Sequence, residues 1–363
     1  MMNEGFPGSY HDEEVTFLMR PLNLESTPLE ERERSIQSGR RHYSEMIGPE
    51  DAPTRQRMRL FRECLESNGD RMAKDICTLA EGMAASAVSG ELTVVSIARA
   101  GTPIGVLLWH RLRKMFPGID SKHFSISVIR DRGVDFAALE KIVESRPPES
   151  IRFVDGWTGK GTIADELHIS IAGWKYAPEG LRPGLWVPLD VCGASEFAAS
   201  CEDYLIPSTL LGGTLSGLIS RSVLPKGEEG GKEFHGCVPL DSLRRYDLSR
   251  WFIKVMLGRM NKIPQGGYPC ENESRGASRR TETRLCLEAM LARQGHSDRN
   301  RIKLGIGETV RVLLRRKPKE ILLAPTARPT DADLIQRLAA LRDVPVFTEA
   351  GLPFDAIAVI ASA

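Results

Sequence analysis

Between residues 92 and 191, short continuous apolar runs alternate with stretches of helical periodicity, and no other feature of the chain restricts its fold as much. The runs are 92–97, 123–129, 151–154 and 185–191. Each is apolar on both faces, as a strand must be when helices cover both sides of its sheet. Helix-like segments fall between them, at 103–116, 139–145 and 161–172. This alternation predicts an α/β fold built on a parallel sheet. Ligands of such sheets bind outside the carboxyl ends of the strands, so the loops that follow the strands are where chemistry is expected.

The remainder of the chain is read around this centre. Residues 1–90 form a mostly helical extension, with helices expected over 28–47 and 54–87. Residues 1–265 then make up the first domain. The polar stretch 266–280 is a linker, and 281–363 is a second, small α/β/α domain. In it the pattern predicts helices over 281–294, 307–316 and 330–342, and strands over 320–324, 344–347 and 356–361. A length of 363 residues accommodates two or three domains. With 49 basic against 48 acidic residues, bulk charge points to no partner, so any nucleic-acid affinity must come from a local patch. The seven cysteines show no C-x-x-C spacing. With no export signal at the N-terminus, they read as reduced thiols of a cytoplasmic protein. No apolar run approaches the ~20 residues of a membrane span.

Three strand ends carry residues suited to anions. After the first strand come Ala98, Arg99, Ala100, Gly101 and Thr102. After the second come Arg130, Asp131, Arg132 and Gly133. After the third, Asp155 opens a loop containing Thr158, Gly159, Lys160, Gly161 and Thr162. This last loop is not a P-loop: Val154 stands five positions before Gly159, and Gly161 separates Lys160 from Thr162. Singly, each is a turn of a common kind. Together, at the ends of one sheet, they describe a site for a ligand with phosphates at two ends.

The stretches "VVSIARAGTPIGVLL" and "IRFVDGWTGKGTI" resemble the pyrophosphate loop and the phosphoribosyl-pyrophosphate signature of type I phosphoribosyltransferases. With "IQSGRRHYSEM", "SISVIRDRGVDFAALEKI" and "EDYLIPSTLLGGTLSGLISRSVL", they resemble one bacterial family over almost the whole chain. That family joins a phosphoribosyltransferase domain to a Pelota-type RNA-binding domain in tellurite-resistance and stress operons, and some members are labelled cysteine proteases. The resemblance implies transfer of phosphoribose from phosphoribosyl pyrophosphate, with Mg²⁺, to or from a base-like acceptor. It implies that Asp155 meets the ribose, that residues 158–162 hold the 5′-phosphate, and that Arg99 and the amides of 98–102 face pyrophosphate. Arg130 or Arg132 is then a lid, and Asp190 and residues 203–208 are placed to meet the acceptor. The resemblance also implies a cis peptide at Ala98–Arg99 or Arg99–Ala100. The chain departs from the signature at Gly156, where a second acid is usual.

At Lys303, Gly305, Gly307, Glu308 and Arg311 the chain is similar to the Gly-rich helix start with which Pelota domains contact RNA. A helix N-terminus offers free amides to phosphate, and the basic residues supply charge. Two alternatives stand beside the transferase. One is a non-catalytic phosphoribosyl pyrophosphate or nucleotide sensor coupled to RNA binding. The other is a cysteine protease, with Cys192 after the fourth strand and His42 or His168 as its base.

Overall fold

The computed structural model describes residues 5–228, 230–266, 273–295, 298–315 and 317–360. Its first domain is organised by six strands: β1 (Thr16–Phe17), β2 (Glu91–Ile97), β3 (Asp120–Ile126), β4 (Ile151–Val154), β5 (Leu185–Leu189) and β6 (Phe197–Ser200). They lie in the order β1-β3-β2-β4-β5-β6. Every neighbouring pair is parallel, as the apolar runs require.

Helices α1 (Leu29–Gln37), α2 (Arg55–Ala85), α3 (Thr102–Met115), α4 (Phe136–Val143), α5 (Thr162–Gly173) and α6 (Ser249–Met260) accompany the sheet. Leu92 and Val94 of β2 belong to one apolar core, with Ile76 of α2, Leu107 of α3 and Met256 of α6. Val95 and Ile97 belong to another, with Leu139 of α4 and Leu167 of α5. The two-residue period of the strand thus separates the two covered faces. Full burial of each such side chain contributes about 1.5–3 kcal/mol. Local capping sets the helix starts. Thr54 accepts the Arg57 N–H at 3.1 Å to open α2, and Asp135 accepts the Ala138 N–H at 3.0 Å to open α4.

The helix expected over 28–47 is shorter. It ends at Gln37 because Gly39 takes a left-handed φ of 66°, which closes a helix. Residues 43–45 form only a single tight turn. Strands β1 and β6 were not foreseen as strands, being two and four residues long.

The second domain begins with α7 (Glu273–Gln294). Of the expected linker, residues 267–272 lie outside the described residues, and 273–280 are helical instead. Next come β7 (Ile302–Leu304), α8 (Gly305–Arg315), β8 (Glu320–Leu323), α9 (Pro329–Ala340), β9 (Val346–Thr348) and β10 (Ala356–Val359). The sheet order is β7-β10-β8-β9, with β10 antiparallel to both neighbours and β8 parallel to β9. One apolar cluster runs from α2 through Tyr204 and Leu205 into Leu287, Ile306, Val310 and Ile357 of this domain. Buried polar contacts reinforce the join: Asn68 on α2 donates to Asp331 at 3.0 Å and accepts from Arg328 at 3.1 Å. Among the described residues, no helix is long and apolar enough to cross a membrane.

Candidate functional site

The sheet changes direction between β2 and β4, and the loops leaving these two strands meet there. This is the expected crevice of an open parallel sheet. The Ala98–Arg99 peptide is cis, one of the two bonds named in advance. Gly101 is needed for close approach, because a Cβ there would stand 2.5 Å from the Val154 carbonyl oxygen. A Cβ on Gly156 would lie 3.2 Å from the Ala100 oxygen, which leaves little room for the second acid usual at that position.

The charged residues expected to act together are distributed among separate partners. Arg99 pairs with Glu50 at 2.6 Å and donates to the Ile219 carbonyl at 2.9 Å. Arg132 pairs with Glu45 at 3.2 Å. Arg130 pairs with Asp131 at 2.8 Å and covers the Tyr43 ring at 5.2 Å, while Arg221 lies 5.4 Å from the same ring. Asp155 accepts the Gly156 N–H at 2.7 Å. Burial pushes its carboxyl up to about 7 against that bond and the nearby Arg311.

Two expected ligand hydroxyls are committed to the protein. Thr102 bonds to Ser125 at 2.8 Å, and buried Thr158 donates to Asp190. Asp190 also accepts the N–H groups of Cys192 at 2.9 Å, Gly193 at 2.8 Å and Ser195 at 2.7 Å. Burial alone would raise the Asp190 carboxyl, but its hydrogen bonds outweigh burial and hold it below the usual range. It is therefore a loop anchor. Gly161, with φ 79°, turns the chain into α5. The backbone N–H groups of Gly159, Lys160, Gly161 and Thr162 make no hydrogen bond among the described residues. Lys160 donates to the Arg299 carbonyl at 2.7 Å, and burial, aided by Lys303, brings its amine down to about 8.

The residues read as an RNA surface face this crevice. Gly305, with φ 85°, lies against Asp203, which accepts the Ile306 N–H. Gly307 packs on Trp157 and Gly159 on Glu308, so the start of α8 covers the loop after β4. Glu308 pairs with Arg311 at 3.0 Å. Lys303 is half-buried beside them on β7. The docking could not be read from sequence, since its contacts join residues about 100 to 150 positions apart.

A second cleft, of about 680 Å³, lies between the sheet domain and α7. Lys160, Asp190, Cys192, Cys201, Arg279 and Arg280 are among its walls. Cys192 is buried, its Sγ 3.4 Å from Thr158 Oγ1, and burial next to Asp190 pushes its thiol up. Neither histidine weighed as its base bonds to it: His42 bonds to Ser44 at 2.8 Å and His168 to the Ala164 carbonyl at 2.9 Å. Cys201, which the sequence reading passed over, is half-buried just beyond β6, with Arg279 Nη2 3.7 Å from its Sγ. No motif marks it. Cys270 and His296 lie outside the described residues.

The comparisons with known proteins bear on this arrangement. A family model described as tellurite-like stress resistance cysteine protease StiP matches residues 8–257. The chain belongs to the StiP family. A second model, the PELOTA RNA-binding domain, matches residues 281–362. The StiP relative found among curated proteins is the cysteine protease StiP of Acinetobacter baylyi, 38% identical over 360 residues that cover 95% of this chain and 91% of that protein. No solved structure matches.

These matches bear out the fusion family and its Pelota domain. They overturn the transferase reading: a StiP family carries the name of a protease, so assignment as a phosphoribosyltransferase acting on phosphoribosyl pyrophosphate and a base is withdrawn. Nor do the residues present fit a protein-held magnesium site. Asp155 is the lone acid of its loop, and the described residues contain no cluster of three or more metal-ligating side chains.

Proposed function

We propose that this StiP-family chain is a cysteine protease whose reactive thiol is Cys201. The observation that carries the assignment is the guanidinium of Arg279 beside the Cys201 sulfur on the wall of an open cleft. A neighbouring cation favours the thiolate, which is the nucleophilic form, and half-burial leaves it accessible. The thiolate adds to a peptide carbonyl, the amine departs with a proton from solvent, and water hydrolyses the resulting thioester. Cys192, buried and protonated, fills a structural role. The scaffold reads as a type I phosphoribosyltransferase-like sheet domain over 1–265, turned to this chemistry, with RNA as the partner of residues 281–363.

The test follows hydrolysis of a fluorescently labelled unfolded protein by the wild type, Cys201→Ser and Cys192→Ser. The expected result is loss of at least a hundredfold in Cys201→Ser and retention in Cys192→Ser. Equal hydrolysis by Cys201→Ser and the wild type would overturn the assignment. RNA binding is tested by filter retention at several salt concentrations, with affinity falling as salt rises.

A further inference from the structure

We propose that the cleft beside Cys201 takes extended polypeptide carrying aspartate or glutamate. This deepens the protease reading by naming a class of substrate, and it rests on that reading only for the claim that the bound chain is cut.

The argument begins with the charges on the walls of this cleft of about 680 Å³. Its cations are Lys160, Arg279, Arg280, Arg284 and Arg299, and its carboxylates are Asp165, Asp190 and Glu196. Arg284 is balanced on its own helix by Glu288, at 3.1 Å. Asp190 is taken up by the N–H groups of Cys192, Gly193 and Ser195. The others bond to neutral acceptors or to none. Arg279 Nη2 lies 3.7 Å from the Cys201 sulfur, Arg280 donates its Nε–H to the Gly193 carbonyl at 3.0 Å, and Lys160 donates to the Arg299 carbonyl at 2.7 Å. Among the described residues, none of Arg279, Arg280 and Arg299 forms an ion pair with a carboxylate. The walls therefore carry an excess of positive charge, which an acidic segment would answer. The planar guanidinium fork matches a carboxylate with two parallel hydrogen bonds.

The second observation is that the arginines of α7 are held in place. The helix docks on the loop after β5 through two backbone carbonyls: Thr283 donates to that of Cys192 at 3.3 Å, and Arg280 to that of Gly193. Gly193 makes this approach possible. It takes a left-handed φ of 73°, and a Cβ there would stand 2.2 Å from the Gly276 carbonyl oxygen. Side chains fixed in this way lose less freedom on binding, which favours the ligand whose charge they match. The walls also discriminate against the other anionic polymer, a single strand of nucleic acid. Among the described residues no aromatic side chain lines the cleft, so its bases would find no ring on which to stack. Ala194, Ala198 and Leu287 offer instead small apolar surface suited to a peptide backbone and its side chains.

Fluorescence anisotropy on full-length Cys201→Ser, used so that binding is read without turnover, tests the proposal. The probes are labelled short peptides that alternate alanine with glutamate, glutamine or lysine. The glutamate peptide should bind at least tenfold more tightly than the glutamine peptide, the lysine peptide should bind most weakly, and the preference should shrink as salt rises. Adding Arg280→Gln or Arg299→Gln should reduce the preference at least threefold, with circular dichroism and thermal melts establishing that each variant is folded. Equal binding of the glutamate and glutamine peptides, an unchanged preference in both folded variants, or tighter binding of a single-stranded oligoribonucleotide than of the glutamate peptide would overturn it. Cleavage is read separately with wild type. Hydrolysis of the glutamate and glutamine peptides at equal rates would overturn this inference and leave the Cys201 assignment standing. Charge-selective binding with no hydrolysis would support the acidic-peptide site and overturn the Cys201 assignment.

Discussion

The carboxylate of Asp203, in the first domain, accepts the backbone N–H of Ile306, at the start of α8 in the second, at 3.0 and 3.1 Å from its two oxygens. It also takes the Asp355 N–H at 3.3 Å. A carboxylate at a helix N-terminus satisfies an otherwise orphaned donor and meets the positive end of the dipole. Here the cap and the helix belong to different domains, so helix capping and domain docking are one interaction. Asp203→Ala leaves these N–H groups without their acceptor and should cost about 2 kcal/mol. Urea denaturation of the full chain measures this. A change below about 0.5 kcal/mol would mean that water replaces the carboxylate at no cost.

Stability should fall as pH rises from about 6.5 to 7.5. Burial raises the carboxyls of Asp75, Asp135, Asp155 and Asp203 to about 7 in the folded chain. In the unfolded chain they titrate near 3.9. The folded state therefore binds more protons, and this contribution, fully present below about pH 4, is lost as pH rises through 7. His123 and His235 act in the opposite sense. Burial lowers both to about 4, so their contribution is present above about pH 6.5 and lost only as pH falls. Between pH 6.5 and 7.5 the four carboxylates outweigh the histidines, at most about 1.4 kcal/mol per pH unit for each group, whereas nearer pH 8 the Lys160 amine, lowered to about 8, acts in the opposite sense. Denaturant midpoints at pH 6.5, 7 and 7.5 check the sign, and Asp203→Asn should flatten the slope.

Gly161→Ala should destabilise the chain by about 1–3 kcal/mol through strain and overpacking. The residue sits at φ 79°, and an added Cβ would come 2.6 Å from the Ala194 Cβ. Gly173→Ala, on the same helix, meets nothing within 4 Å and serves as the comparison. Thermal melts of the pair decide it: equal midpoints would show that the turn into α5 yields without strain.

Alkylation should discriminate among the thiols. Burial pushes Cys77 up to about 11 and Cys237 to about 12, and Cys64 and Cys192 higher still. Cys201, half-buried beside Arg279, should react with iodoacetamide at pH 8 at least tenfold faster than Cys192. Peptide mapping over time reads the rates, and Arg279→Ala should slow the reaction at Cys201. Faster reaction at Cys192 would place the reactive thiol there instead.

The alternation of apolar runs and helical periodicity between 92 and 191 determined the parallel sheet, because a strand covered on both faces must be apolar on both. The glycines at 101 and 161 and the loops that follow β2 and β4 were legible for the same reason, since they end strands whose positions the pattern shows. Strands β1 and β6 were not, because pairing with a neighbour defines so short a segment and its own residues do not. Nor were the partners of the charged residues. Arg99, Arg130 and Arg132 look alike as cations in a sequence, yet Glu50, Asp131 and Glu45 answer them separately. The basic start of α8 reads as an open surface until Asp203, Trp157 and Gly159 are found against it. Cys192 and Cys201 stand nine positions apart with no motif to separate them. Burial pushes the Cys192 thiol up, whereas Cys201 is half-buried beside an arginine 78 residues away. Periodicity is a property of neighbouring residues, and so the chain carries it openly. Charge pairing, desolvation and the closing of a cleft depend on distances between segments remote in sequence, and only the packed tertiary structure sets those.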